Sequence, residues 1–255
     1  MGIPEKLRSI SRTIRRKSCS AIILAAGNGS RFSSDGSLPK QFVPICTLPM
    51  IAYSVMAFDA CELVGEIVIV TRKEDIEHTK KILGELVLVK PLKIIAGGST
   101  RQESALIGFN EASEKHAYVA IHDAARPLIT PDAIYKVIRA AFVSKAAIAA
   151  SPSVDTPKIV NTGRIITEKA PEREKLWLAQ TPQVFERTLY RVAAYYAKEE
   201  EFEATDDASL LEFARFTVKA VDIETPNFKV THPTDIIIAS AIIESRNKSD
   251  KETSV

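Results

Sequence analysis

The chain has 255 residues, 45% of them hydrophobic and 26% charged, with a formal net charge of only +2. That balance suits an α/β domain with a sizeable core, and so small a net charge does not point to nucleic-acid binding. No apolar run approaches the roughly 20 residues of a membrane span, so neither a nucleic-acid nor a membrane partner is expected.

The charge is uneven. Residues 1–20 carry six Lys/Arg against one acid, and the rest carries 28 against 31. Residues 1–19 read as a basic N-terminal extension without the apolar centre of a secretory signal. A short bacterial extension is the expectation, with an organelle transit segment as the alternative. Cys19, Cys46 and Cys61 stand in no CxxC spacing and the four histidines are scattered. A disulfide framework or zinc site is therefore not expected, and a reducing, cytoplasmic setting is.

The first element is the apolar run Ala21-Ile22-Ile23-Leu24, a buried strand. Gly27-Asn28-Gly29-Ser30 follows it, and the cations Arg31 and Lys40 come next. Glycines directly after a strand let backbone N–H groups approach an anion, and the two cations add charge where phosphates would lie. The loop lacks the Gly-Lys-Ser/Thr of a Walker motif and the third glycine of GxGxxG. It reads as a nucleotide triphosphate grip.

Helical periodicity spans 49–61, a second strand spans 67–70, and a charged surface helix spans 73–84. A third strand at 92–96 closes on Gly97-Gly98, and the next helix carries Arg101 and Ser104 in its first turns. A fourth strand at 118–121 ends in His122-Asp123-Ala124-Ala125-Arg126-Pro127. A helix at 131–143 opens on proline, which suits a first turn, and a fifth strand lies at 146–150. Strands alternating with helices predict a doubly wound, mostly parallel, Rossmann-like sheet. Right-handed crossovers would gather the loops at 27–29, 97–98 and 123–126 along one edge, as a single site.

After Ser151 the pattern changes. Residues 158–160 and 164–166, around Asn161-Thr162-Gly163, read as a hairpin. An extended run at 175–179 ends at Gln180-Thr181-Pro182-Gln183. Residues 152–182 are therefore expected to form a protruding β-arm within one domain over 20–246. Helical texture returns at 187–200 and 206–213, a strand is expected at 216–221 and a final helix at 234–245. A polar, disordered tail is expected at 247–255.

Taken together, several strings carry a specific resemblance: Ala25-Ala26-Gly27-x-Gly29-x-Arg31, Pro39-Lys40-Gln41, Gly97-Gly98-x-x-Arg101-x-x-Ser104, Asp123-Ala124-Ala125-Arg126-Pro127 and Val154-Asp155-Thr156. Leu176-Trp177-x-Ala179-Gln180-Thr181-Pro182-Gln183, Thr205-Asp206-Asp207 and Asn227-x-Lys229-Val230-Thr231 complete the set. The chain resembles the 2-C-methyl-D-erythritol 4-phosphate cytidylyltransferase family over about 20–245. The ribitol-5-phosphate cytidylyltransferases share most of these strings. A nucleotide-binding regulatory domain without turnover is the reading from another class, and the joint presence of Arg31, Lys40 and Lys229 argues against it. The Arg31–Lys40 spacer is slightly long for the family.

The resemblance implies CTP as substrate, a polyol phosphate as acceptor and Mg²⁺ held mainly by the nucleotide phosphates, with no dedicated metal ligands. It assigns Arg31, Lys40 and Lys229 to catalysis at the phosphates. Ala25, Ala26, Gly27, Gly29, Gly98, Ser99, Ser104 and Asp123 would frame the nucleotide, and Asp123, Arg126, Arg173 and Thr181 would hold the acceptor. Asp206, Asp207 and Asp235 read as caps or supporting groups. The resemblance also implies a homodimer in which the arms embrace and Arg173 serves the partner's site. The second pKa of a phosphomonoester is about 6, so the acceptor is largely dianionic near pH 7 and needs no general base.

Overall fold

The structure is a computed structural model that describes residues 18–27 and 38–253, with side chains through 248. The expectations for residues 1–17, for Gly29 and for Arg31 lie outside the described residues.

Strand β1 (Cys19–Ala25) is buried along its whole length, as its unbroken apolar run demands of a strand covered on both faces. It pairs in parallel with β4 (Val64–Thr71) on one side and β6 (Tyr118–Asp123) on the other. The hairpin strands β2 (Pro44–Ile45) and β3 (Leu48–Pro49) lie outside this sheet. Beyond β4 lies β5 (Leu92–Ala96), also parallel. On the far side of β6 come β10 (Trp177–Glu186), β7 (Ala146–Pro152) and β11 (Lys219–Asp222), giving the order β11-β7-β10-β6-β1-β4-β5. Within this seven-stranded sheet, among the described residues, only β10 runs antiparallel to its neighbours.

Alternate residues of the central strands serve two cores. Ala21, Ile23, Ile67 and Ile69 pack with helices α1 (Met50–Ala60), α2 (Ile76–Gly84) and α4 (Pro131–Ser144). Ile22, Leu24, Val68 and Val70 pack on the other face with α3 (Arg101–Glu111), α5 (Arg187–Glu199) and α6 (Asp207–Phe213). Helix α3 lies close against the sheet. A Cβ on Gly108 would come within 2.5 Å of Ile22 and 2.8 Å of Val70, so only glycine permits that approach. The approach fixes where the first turn of α3 meets the strand ends.

Strand β10 differs from the sequence reading. The run at 175–179 was expected to finish the arm, yet the chain continues as a central strand through Glu186. Ala179 pairs with Ala150 and Gln183 with Ile148, so the intervening residues form an irregularity that contains the cis Thr181–Pro182 peptide. A proline has no N–H for a ladder and is tolerated at such a bulge. Pro182 and the flanking glutamines therefore concealed a strand. The arm itself carries β8 (Ile159–Val160) and β9 (Ile166–Glu168) around a turn in which Asn161 Oδ1 accepts from the Gly163 and Ile165 amides.

The last helix, α7 (Pro233–Thr253), is longer than expected. The polar residues after 246 were expected to be disordered, but Lys and Glu are good helix formers, and a polar face is compatible with a solvated helix. The strand expected at 216–221 is Lys219–Asp222.

Candidate active site

The carboxyl ends of β1, β4, β5 and β6 open on a cleft of about 610 Å³. Of the residues singled out in the sequence, Ala25, Ala26, Gly27, Lys40, Gly98, Ser99, Ser104, Asp123 and Lys229 all line it. The expected convergence of the loops at 27, 97–98 and 123 is thus observed at the strand ends, where doubly wound sheets bind ligands.

One wall is built by the β5–α3 turn. Thr100 caps α3, its hydroxyl accepting from the Glu103 amide. The Gly98 amide donates to Ser104 Oγ at 3.1 Å. A Cβ on Gly97 would lie 2.7 Å from that same oxygen and 3.0 Å from Ala26 Cβ, so glycine is required where the two strand-end loops meet. The small residues Ala25, Ala26, Gly27, Gly97 and Gly98 keep this wall low and leave the cleft open beside the backbone.

The opposite wall is ionic. Asp123, the last residue of β6, accepts from Lys229 Nζ at 2.7 Å and from Arg101 Nε at 3.2 Å. Arg101 also donates to Asp207 Oδ2 at 2.7 Å, and Tyr190 donates to the other oxygen of Asp207 at 3.0 Å. Burial favours the neutral acid at Asp123, but Arg101, then Lys229 and Arg126, outweigh it and hold the carboxyl well below the usual range. Burial works against the Arg101 charge in the same way, and Asp207 and Asp123 more than offset it, raising its pKa above the ordinary value. The result is a chain of alternating charge from the cleft to the second core.

The Lys229 segment is tied to the β6 turn, the Val230 amide donating to the Ala125 carbonyl at 2.8 Å. Lys40, at the start of a 3₁₀ turn, donates to the Val230 carbonyl at 2.9 Å. Both lysines are therefore referenced to one backbone segment. Gln41 reaches Asp75 at 3.3 Å, and Asp75 holds Arg72 bidentately at 2.6 and 3.0 Å, which anchors the Lys40 turn to the end of β4.

Three expected residues do not line the cleft. Arg126 turns behind it, donating to the Asn227 carbonyl at 2.8 Å. Thr181 is buried beneath the Asp123 turn. Arg173 sits in a 3₁₀ turn on the exposed arm, where NH1 is 3.5 Å from the Val154 carbonyl. Asp206 caps α6, and Asp235 accepts from the amides of Thr231 and His232, as expected of caps. Arg101 stood within a motif without a role; of two further cations in the cleft wall, Lys73 was read into a surface helix and Arg72, just before it, was given no role. The position of Arg101 in the first turn after Gly97-Gly98 was the available signal.

Among the described residues no group of three or more His, Cys, Asp or Glu side chains is placed to hold a metal ion, and no helix is long and apolar enough to cross a membrane.

Residues 19–245 match the family model described as 2-C-methyl-D-erythritol 4-phosphate cytidylyltransferase. A protein of that name from Caldanaerobacter subterraneus is 40% identical over 225 residues, covering 88% of this chain and 98% of the relative. One from Nostoc punctiforme is 38% identical over 225 residues, covering 88% and 98%. Among solved structures, the 4-diphosphocytidyl-2C-methyl-D-erythritol synthase of Anaerococcus prevotii is similar with a TM-score of 0.75 at 29% identity, covering 89% of this chain and 98% of that one. The 2-C-methyl-D-erythritol 4-phosphate cytidylyltransferase of Thermus thermophilus gives 0.71 at 30%, covering 88% and 98%.

Proposed function

The chain belongs to the 2-C-methyl-D-erythritol 4-phosphate cytidylyltransferase family, and on that premise we propose that it transfers the cytidylyl group of CTP to 2-C-methyl-D-erythritol 4-phosphate. The products are CDP-methylerythritol and pyrophosphate, in non-mevalonate isoprenoid synthesis. The observation that carries the reading is the cleft itself, a small-residue backbone wall facing Lys229, Asp123 and Arg101 at the ends of β1, β5 and β6.

An oxygen of the acceptor phosphate bonds to the α-phosphorus, and the bond from that phosphorus to the bridging oxygen of pyrophosphate breaks. The attacking dianion carries no proton to remove near pH 7, so the protein's contribution is positioning and charge. Ala25–Gly27 and Gly98–Ser104 frame cytosine and ribose. Lys40, Lys229 and Arg31 offset the charge that develops on the phosphates. Asp123 faces the acceptor hydroxyls once Lys229 turns to the nucleotide. Mg²⁺ bound with the triphosphate would neutralise part of its charge, and Asp123 is the carboxylate at the cleft centre that would meet it. A site built of amides and cations, with its one central carboxylate already paired, suits a metal held mainly by the nucleotide.

The arm supports a homodimer. Val154, Ile165, Ile166, Trp177 and Leu178 on the arm are each at least 43% exposed, apolar side chains that a partner surface would cover. Two-fold pairing of arms covers it and carries Arg173 into the partner's cleft, where its fork binds the acceptor phosphate. The free, unpaired cysteines suit a cytoplasmic enzyme.

Initial rates with CTP or UTP, and with methylerythritol phosphate or ribitol 5-phosphate, test the assignment. The pair of CTP and methylerythritol phosphate is expected to exceed every other by at least tenfold. Equal use of UTP, or a preference for ribitol 5-phosphate, overturns it.

A further inference from the structure

His122 lies one residue before Asp123 at the end of β6 and is wholly buried, its ring tilted against Phe58 with centroids 5.1 Å apart. It reaches no substrate surface, yet both ring nitrogens are engaged. Nε2 is 3.3 Å from the Arg126 carbonyl, and Nδ1 is 2.9 Å from Thr181 Oγ1. The same Thr181 oxygen accepts from the Asp123 amide at 3.1 Å.

The chemistry of these groups fixes every proton. A carbonyl can only accept, so Nε2 carries the hydrogen. Burial disfavours the charged ring, and the His122 pKa falls to about 3 despite the neighbouring Asp123. The ring is therefore neutral and Nδ1 is bare. The Thr181 hydroxyl must donate to Nδ1, which leaves its lone pair for the Asp123 amide. Its one proton is committed inward, so Thr181 has none to offer an acceptor phosphate, the role its motif implied. Thr181 also belongs to β10 at the base of the arm, and its carbonyl accepts from Asn227 Nδ2 at 2.8 Å.

We infer that His122 is a positioning residue: by holding the Thr181 hydroxyl it fixes the Asp123 amide, and so sets the Asp123 carboxylate against the acceptor. The inference rests on the cytidylyltransferase reading, since it concerns the acceptor half of that site. Neither residue is placed against the nucleotide, so CTP binding should be spared.

The test combines kinetics with ¹⁵N-histidine NMR. His122→Leu and Thr181→Val are each expected to lower kcat/KM for methylerythritol phosphate about 10- to 100-fold while the Kd for CTP changes less than threefold. His122→Asn, which returns an acceptor near the Nδ1 position, and Thr181→Ser, which returns the hydroxyl, should each recover most of the loss. The double variant His122→Leu/Thr181→Val should be no slower than the worse single variant, because both break one link. In the parent protein the His122 resonances should show a bare Nδ1 and protonated Nε2, unchanged from pH 8 to pH 5, and Thr181→Val should shift Nδ1. That spectrum remains informative if His122→Leu fails to fold. Losses that multiply in the double variant, no recovery with serine, or a protonated Nδ1 in the parent overturn the inference. A parent that shows the expected spectrum but no cytidylyl transfer overturns the functional reading instead.

Discussion

Lys229 and Asp123 stand 2.7 Å apart, nitrogen to oxygen, although 106 residues separate them in the chain. The contact joins the end of a central strand to the segment before the last helix. It sets a cation and an anion side by side in the cleft. Lys229 is 39% exposed at its side chain and Asp123 only 11%, so the lysine is the partner that can swing. The carboxylate holds a second contact, with Arg101.

Arg101 bridges two carboxylates, and a planar guanidinium can do this where a single ammonium cannot. Arg101→Met leaves the buried Asp207 with only Tyr190 and is expected to cost roughly 2–3 kcal/mol, the side chain's own partial exposure moderating the loss. Urea unfolding measures it. Arg101→Lys should recover less than half. Unchanged stability in both variants would show that the bridge does not contribute.

Ser104 accepts from the Gly98 amide and lines the cleft wall proposed to frame the base. Ser104→Ala should weaken CTP by about 1 kcal/mol, near fivefold, the usual net value of one hydrogen bond. Calorimetric titration with CTP tests this, and affinity within experimental error of the parent would remove Ser104 from the base subsite.

Much of this site was legible in the sequence because its parts lie at strand ends. The apolar runs at 21–24, 67–70 and 118–121 announced buried parallel strands, and the residues after each run fell into one cleft. What was not legible depends on pairing over distance. Thr181-Pro182 reads as the end of an extended run, and only the neighbouring strands make the residues that follow a central strand. Arg101 looks like any polar residue in a helix's first turn until Asp123 and Asp207, 22 and 106 residues away, arrive beside it. Arg126 and Thr181 were placed on the acceptor from their motifs, and their buried partners, the Asn227 carbonyl and His122, draw them inward.

His122 links stability to pH. Its pKa falls from 6.5 to about 3 on folding, first because burial penalises the cation, with Arg126 adding to this and Asp123 opposing it. A depressed folded pKa means that the unfolded chain binds the proton more tightly. The stabilisation is complete above pH 6.5 and is lost progressively as the pH falls toward 3, at about 1.4 kcal/mol per unit once below 6.5. Urea unfolding at pH 7 and pH 5.5 should therefore show His122→Asn losing about 1 kcal/mol less than the parent. An equal loss in both proteins would contradict a neutral, buried His122.

The arm prediction separates trans from cis. Lys40→Ala and Arg173→Ala proteins, each nearly inactive, are mixed under conditions that allow subunit exchange. If Arg173 serves the partner's cleft, the heterodimer holds one site with both defects and one intact site, and activity returns. A mixture that stays inactive, with heterodimers verified, would place Arg173 in its own chain's site or in none.

In the proposed reaction, transfer depends on cations set at the phosphates, without a base. The rate of the chemical step in Lys229→Ala, in single-turnover experiments with saturating CTP and methylerythritol phosphate, tests this most directly. Loss of a contact made chiefly in the transition state costs on the order of 3 kcal/mol, so the step should slow ~100-fold or more while the Kd for CTP moves less than threefold. A chemical step as fast as the parent's, with only CTP affinity reduced, would contradict the assigned role of Lys229.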